Sequence, residues 1–91
     1  MLAAMVRVPL TPAQVEAGRR LGAQLRALRA DRDLAAVATA AGISPETLRK
    51  IETGRLPSPA FGTVVGLSRA LGVPLQDLAD VWQAGTLAES A

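Results

Sequence analysis

The 91-residue chain contains no cysteine, no histidine and no tyrosine. Without cysteine there is no disulfide framework, no zinc–thiolate site and no thiol nucleophile. Without histidine, the commonest acid–base residue and the commonest metal ligand are both missing. Most enzyme mechanisms are thereby excluded, and the expectation is a non-enzyme with no cofactor and no metal. Aromatic residues are nearly absent too, limited to Phe61 and Trp82. Of the 45 apolar residues 18 are alanine, which leaves 27 larger side chains for a core. That is enough for one small domain and too little for two.

Long hydrophobic runs are also lacking. No stretch approaches the ~18–20 apolar residues of a membrane span. The apolar run at residues 1–6 is interrupted by Arg7 and Pro9, with no basic residue before it. It is shorter than the ~7–15-residue hydrophobic region of an export signal. A cytoplasmic protein with no membrane association is expected.

Charge is present but modest, ten basic against eight acidic residues for a net +2. Its distribution says more than its total. Residues 1–59 carry nine Lys/Arg and five Asp/Glu, whereas 60–91 carry one Arg and three acids. Nine of the ten basic residues are arginine, the side chain suited to bidentate phosphate contacts. A cationic first two-thirds and an acidic remainder suit a surface that meets a polyanion on one side. Alanine- and arginine-rich usage is equally what a GC-rich genome produces.

What the chain does have is helix punctuation. Thr11-Pro12-Ala13-Gln14 supplies an N-cap, a first-turn proline and a capping-box glutamine. The helix it opens is predicted to run to about Ala30, with Val15, Leu21, Leu25 and Leu28 near one face. Asp33 caps a second, short helix, Leu34–Ala41, stopped by Gly42. Ser44-Pro45-Glu46 restarts helix at once, with Leu48 and Ile51 inward and Gly54 as terminator. Ser58-Pro59 repeats the cap-plus-proline device for a fourth helix through Phe61, Val64 and Leu67 to Gly72. A fifth follows Val73-Pro74, carrying Leu75, Leu78, Val81 and Trp82 and ending near Gly85. The pattern predicts an all-α fold of five helices: residues 1–10 a flexible arm, 11–85 the domain, 86–91 a frayed tail.

Residues 34–53 read LAAVATAAGISPETLRKIET, two short helices joined by about three residues containing Gly42. That is helix-turn-helix geometry, in which the second helix enters the major groove of DNA. Ala38 is small where the helices would cross, while Val37, Ile43, Leu48 and Ile51 are apolar where the pair would pack on its neighbours.

These residues resemble the Cro/repressor-type, or Xre, family of helix-turn-helix transcriptional regulators. The likeness covers residues 21–78 and is carried by LGAQLRALR, the AxxxGIS turn at 38–44, LRKIETG at 48–54 and the later ALGVPLQDL. The family implies a five-helix lambda-repressor-like DNA-binding domain. It also implies a recognition helix with Pro45, Glu46, Arg49 and Lys50 on its DNA side, and Ser44 and Thr47 at its start. Arg55 resembles the loop residue that meets the phosphate backbone. Glu52 and Arg29 occupy the places of a structural ion pair. The chain departs from the family at Asp33-Leu34, where Ser/Thr-Gln is common, and at Pro45, where a long polar side chain is common. It is also about two residues shorter than usual between its first two helices.

Several residues carry two readings. Glu46 is either a first-turn acid that stabilises the helix end by ~0.3–1 kcal/mol or an acceptor for cytosine N4. Lys50, one turn later, is expected to reach a base, and Arg55 a phosphate. Trp82, with Leu78 and Val81, is either core or the anchor of a dimer interface. Asp77 and Asp80 lie three apart with no third ligand and read as a solvated face. Ser44 and Ser58 read as caps. The expectation is a homodimer on double-stranded DNA, with half-sites about 34 Å apart. The alternative is a protein-interaction module or antitoxin-like partner on the same fold, motivated by the two departures.

Overall fold

The computed structural model describes residues 9–90, so the greater part of the expected N-terminal arm lies outside the described residues. Five helices follow in order: α1 Pro12–Arg29, α2 Leu34–Ala41, α3 Pro45–Glu52, α4 Phe61–Leu71 and α5 Leu75–Ser90. No strand occurs among the described residues.

Local chemistry explains most of these boundaries. Thr11 Oγ1 accepts from Gln14 N–H at 3.1 Å while Gln14 Oε1 accepts from Thr11 N–H at 2.9 Å, a complete capping box. Asp33 Oδ2 caps α2 by accepting from Ala36 N–H at 2.9 Å. Ser44 Oγ does the same for α3, accepting from Thr47 N–H at 3.1 Å. At the far end of α2, Gly42 turns left-handed at φ +81 and the Ile43 N–H reaches back to Ala38 O at 3.0 Å. This closure satisfies carbonyls that the helix end leaves unpaired.

Two boundaries differ from the sequence expectation. Ser58 does not cap α4; it sits in a bend, Ala60 is still extended (φ −61, ψ 149), and the helix begins at Phe61 with no side-chain cap. The cause is tertiary. Pro57 lies so close to Gly18 of α1 that a Cβ there would come within 2.5 Å of its atoms. The loop is thus held against α1 before α4 starts. Helix α5 continues past Gly85, where the sequence suggested its end, because an interior glycine weakens a helix by only ~1 kcal/mol and no proline follows.

The core lies where α1 meets α3 and α5 and where α2 meets α3 and α4. Leu21, Leu25, Val37, Ala38, Leu48, Ile51, Leu67 and Leu78 are buried together. Ala38 is fully buried, and Gly22 approaches α3 so closely that a Cβ would fall 2.2 Å from Ile51 O. Small residues therefore set the interhelical spacing around α3. Arg20 adds a polar clamp, its Nε and Nη2 donating to Val81 O at 3.2 Å and Trp82 O at 3.0 Å on α5. No helix among the described residues is long and apolar enough to cross a membrane.

Candidate nucleic-acid interface

Helix α3 is one-sided. Leu48 and Ile51 are each 1% exposed and fix its inner face, so the residues opposite must point outward. Pro45, Glu46, Arg49 and Thr53 are all exposed. At 100° per residue these four fall within one arc, with Arg49 near its middle. Lys50 sits at the margin of that arc and is half-buried. Its Nζ lies 3.7 Å from Glu46 Oε2, an (i, i+4) ion pair worth ~0.3–0.5 kcal/mol at an exposed site.

The start of α3 is committed to folding. Ser44 Oγ accepts from the Thr47 backbone and donates to Thr47 Oγ1 at 2.9 Å. Both hydroxyls are thus engaged in capping. At the other end, Thr53 Oγ1 donates to Arg49 O at 2.9 Å and finishes the helix. The chain then turns at Gly54, and Arg55 is exposed immediately after.

Arg29 and Glu52 meet as a two-pronged pair. Arg29 Nε donates to Glu52 Oε2 at 2.7 Å and Nη2 to Oε1 at 3.0 Å, with side chains only 12% and 6% exposed. The remaining prong, Nη1, donates to Arg32 O at 2.8 Å. The Glu52 hydrogen bond raises the Arg29 guanidinium above its ordinary value. Burial works against the rise, and the charges of Glu52 and Asp33 add to it. The end of α1, the end of α3 and the entry to α2 are locked through one guanidinium.

Sequence reasoning did not separate committed from uncommitted arginines. Arg20, Arg26, Arg29 and Arg32 each donate to a protein carbonyl or carboxylate. Arg19, Arg49, Arg55 and Arg69 are exposed and have no side-chain hydrogen bond or ion pair among the described residues. No sequence signal marks that division, which depends on carbonyls brought near by folding.

Of the expected interface residues on α5, Leu78 is 2% exposed and belongs to the chain's own core, so it has no surface left to offer a partner. Val81 and Trp82 are half-buried. Beside them runs an apolar groove of about 430 Å³ between α1, α4 and α5, lined by Leu21, Pro59, Val64, Leu75 and Trp82 and rimmed by Phe61, 71% exposed. Asp77 and Asp80 are exposed, and Asp80 accepts from Gln76 Nε2 at 2.8 Å.

A helix-turn-helix domain model matches residues 20–82, more than half of the chain. The chain belongs to the helix-turn-helix domain family. The match covers α2, its turn and α3, and takes in the Arg29–Glu52 pair. It identifies the domain class and not the Cro/repressor branch within it. No curated protein matches the chain.

Proposed function

We propose that this helix-turn-helix protein is a sequence-specific, DNA-binding transcriptional regulator of the Cro/repressor type, acting in the cytoplasm as a homodimer. The observation that carries the reading is the exposed arc of α3, which presents an Arg49 without a partner among the described residues and has a fully buried face behind it. Such a helix can enter a major groove without unfolding anything. Arg49 is the better base reader than Lys50, because Lys50 is half-buried and already pairs with Glu46. Arginine offers guanine O6 and N7 a two-pronged contact. Pro45 has no side-chain donor and contributes apolar contact, for instance with a thymine methyl. Arg55 holds phosphate.

The groove beside Phe61 and Trp82 favours a protein contact, either a second copy or a different partner. A 71%-exposed phenylalanine next to an apolar trough is the kind of surface that association covers. Selection of bound duplexes from a random pool tests the main reading. A recovered two-fold motif supports a dimeric regulator. Recovery of no DNA at low salt leaves the interaction module as the function. With a motif in hand, Arg49→Ala is expected to cost ~1–3 kcal/mol on the preferred site and to relax one base position. Lys50→Ala is expected to act less and uniformly; the opposite order would return base reading to Lys50.

A further inference from the structure

Adjacent arginines on α1 have opposite fates. Arg20 is turned inward onto the Val81 and Trp82 carbonyls, whereas Arg19 is exposed with no hydrogen-bond or ionic partner among the described residues. The stem of Arg19 lies across the exit from α3. A Cβ built on Gly54 would be 3.2 Å from Arg19 Cγ. Arg55, the next residue after Gly54, is also exposed and without an acid partner among the described residues. Two cations from distant parts of the sequence, neither with an acid partner among the described residues, therefore border one loop at the end of the helix that presents Arg49.

We propose that Arg19 and Arg55 together form a phosphate clamp on the DNA backbone flanking the groove that α3 enters, extending the binding surface onto α1. This rests on the DNA-binding reading of α3 given above. The physical argument is electrostatic. Like charges that border one loop repel each other, and an anion between them offsets that repulsion; a phosphodiester supplies such an anion. Guanidinium groups suit phosphate oxygens because their donors form a planar fork. Such contacts carry no base information and fix the register of the protein on the duplex.

The test is duplex binding across a salt series, on selected and on random-sequence DNA, with the full chain and its Arg19→Gln, Arg19→Lys and Arg19→Gln/Arg55→Gln variants. Each phosphate contact contributes about 0.9 to the slope of log affinity against log salt. Arg19→Gln is expected to reduce the slope by about that amount and to weaken both duplexes equally, and the double variant by about 1.8. Arg19→Lys should keep the slope, since it keeps the charge. Melting temperature should stay at the parent value, because Arg19 makes no hydrogen bond or ion pair among the described residues. Binding by Arg19→Gln with the parent's slope overturns the clamp and leaves the DNA reading standing. A drop in melting temperature alongside the lost affinity assigns Arg19 to folding and also overturns it. If the parent chain shows no salt-dependent binding to either duplex, the DNA reading itself falls, and the clamp with it.

Discussion

The connections on either side of α2 are similarly short and are made in opposite ways. Between α2 and α3 the chain uses residues 42–44, with glycine in the left-handed position and serine as the next cap. Between α1 and α2 it uses residues 30–33, and the residue at positive φ is Ala30 (φ 54, ψ −123). Those angles belong to the first central position of a type II′ turn, where glycine is the usual occupant. Arg32 N–H donates to Arg29 O at 2.9 Å and closes the turn. One turn is specified by residues that prefer its shape. The other is held by its surroundings: Arg26 Nη1 donates to Ala30 O at 2.8 Å, Arg29 Nη1 to Arg32 O at 2.8 Å, and Arg32 Nη2 to Ala70 O at 2.9 Å.

If the α1–α2 junction depends on its surroundings, its main anchor should matter most. Glu52→Gln leaves the largely buried Arg29 guanidinium without its counter-charge. The expected loss is up to ~3–5 kcal/mol, measured by denaturant or thermal unfolding. On the arginine side the sign is simple. A raised value keeps the stabilisation intact below arginine's ordinary value and loses it only above, so Arg29 contributes no pH dependence across the neutral range. An unchanged melting temperature for Glu52→Gln would mean that the junction stands without the pair.

The self-specified turn should break at its glycine instead. A Cβ at Gly42 would meet nothing within 4 Å, so Gly42→Ala isolates the backbone cost of φ +81. The expected loss is about 1 kcal/mol, or ~4–8 °C in a domain of this size. No measurable loss would show that the turn is set by the packing of α2 on α3 and not by its own residues.

The same division explains what was legible in the sequence. Thr11, Asp33, Ser44 and Gly42 act on backbone groups three to five residues away, so their roles can be read along the chain. The inward faces of α1 and α3 follow from helical spacing for the same reason. The start of α4 is not legible at Ser58, because the loop before it is held where Pro57 meets Gly18 across the fold. Nothing local to Ser58 records that contact. At the candidate site, the residues of α3 were legible from pattern and family likeness, but their standing relative to one another was not. Arg49 and Lys50 look equivalent as letters and flank the outward face of α3 symmetrically; the half-burial of Lys50 and its pairing with Glu46 are what separate them. Arg19 carried no signal at all, because only folding brings it to Gly54.

The smallest effect is the sharpest test of the contrast, because it predicts a gain. At most sites Ala→Gly destabilises, by freeing the unfolded chain and by removing a side chain. At Ala30 the native angles are ones that an L-residue adopts only under strain, at a cost of order 1–3 kcal/mol. Glycine removes that strain, and the unfolded chain takes back ~0.4–1 kcal/mol through its added freedom. Ala30→Gly should therefore raise stability by about 0.5–1 kcal/mol, while Gly42→Ala lowers it by a similar amount. Ala30 is exposed and its methyl contributes nothing to the buried core, so no packing loss offsets the gain. The two variants, melted side by side, should move in opposite directions from the parent. If Ala30→Gly melts lower, as an ordinary surface glycine would, then the junction is not strained, and the arginines around it decorate a turn they do not have to hold.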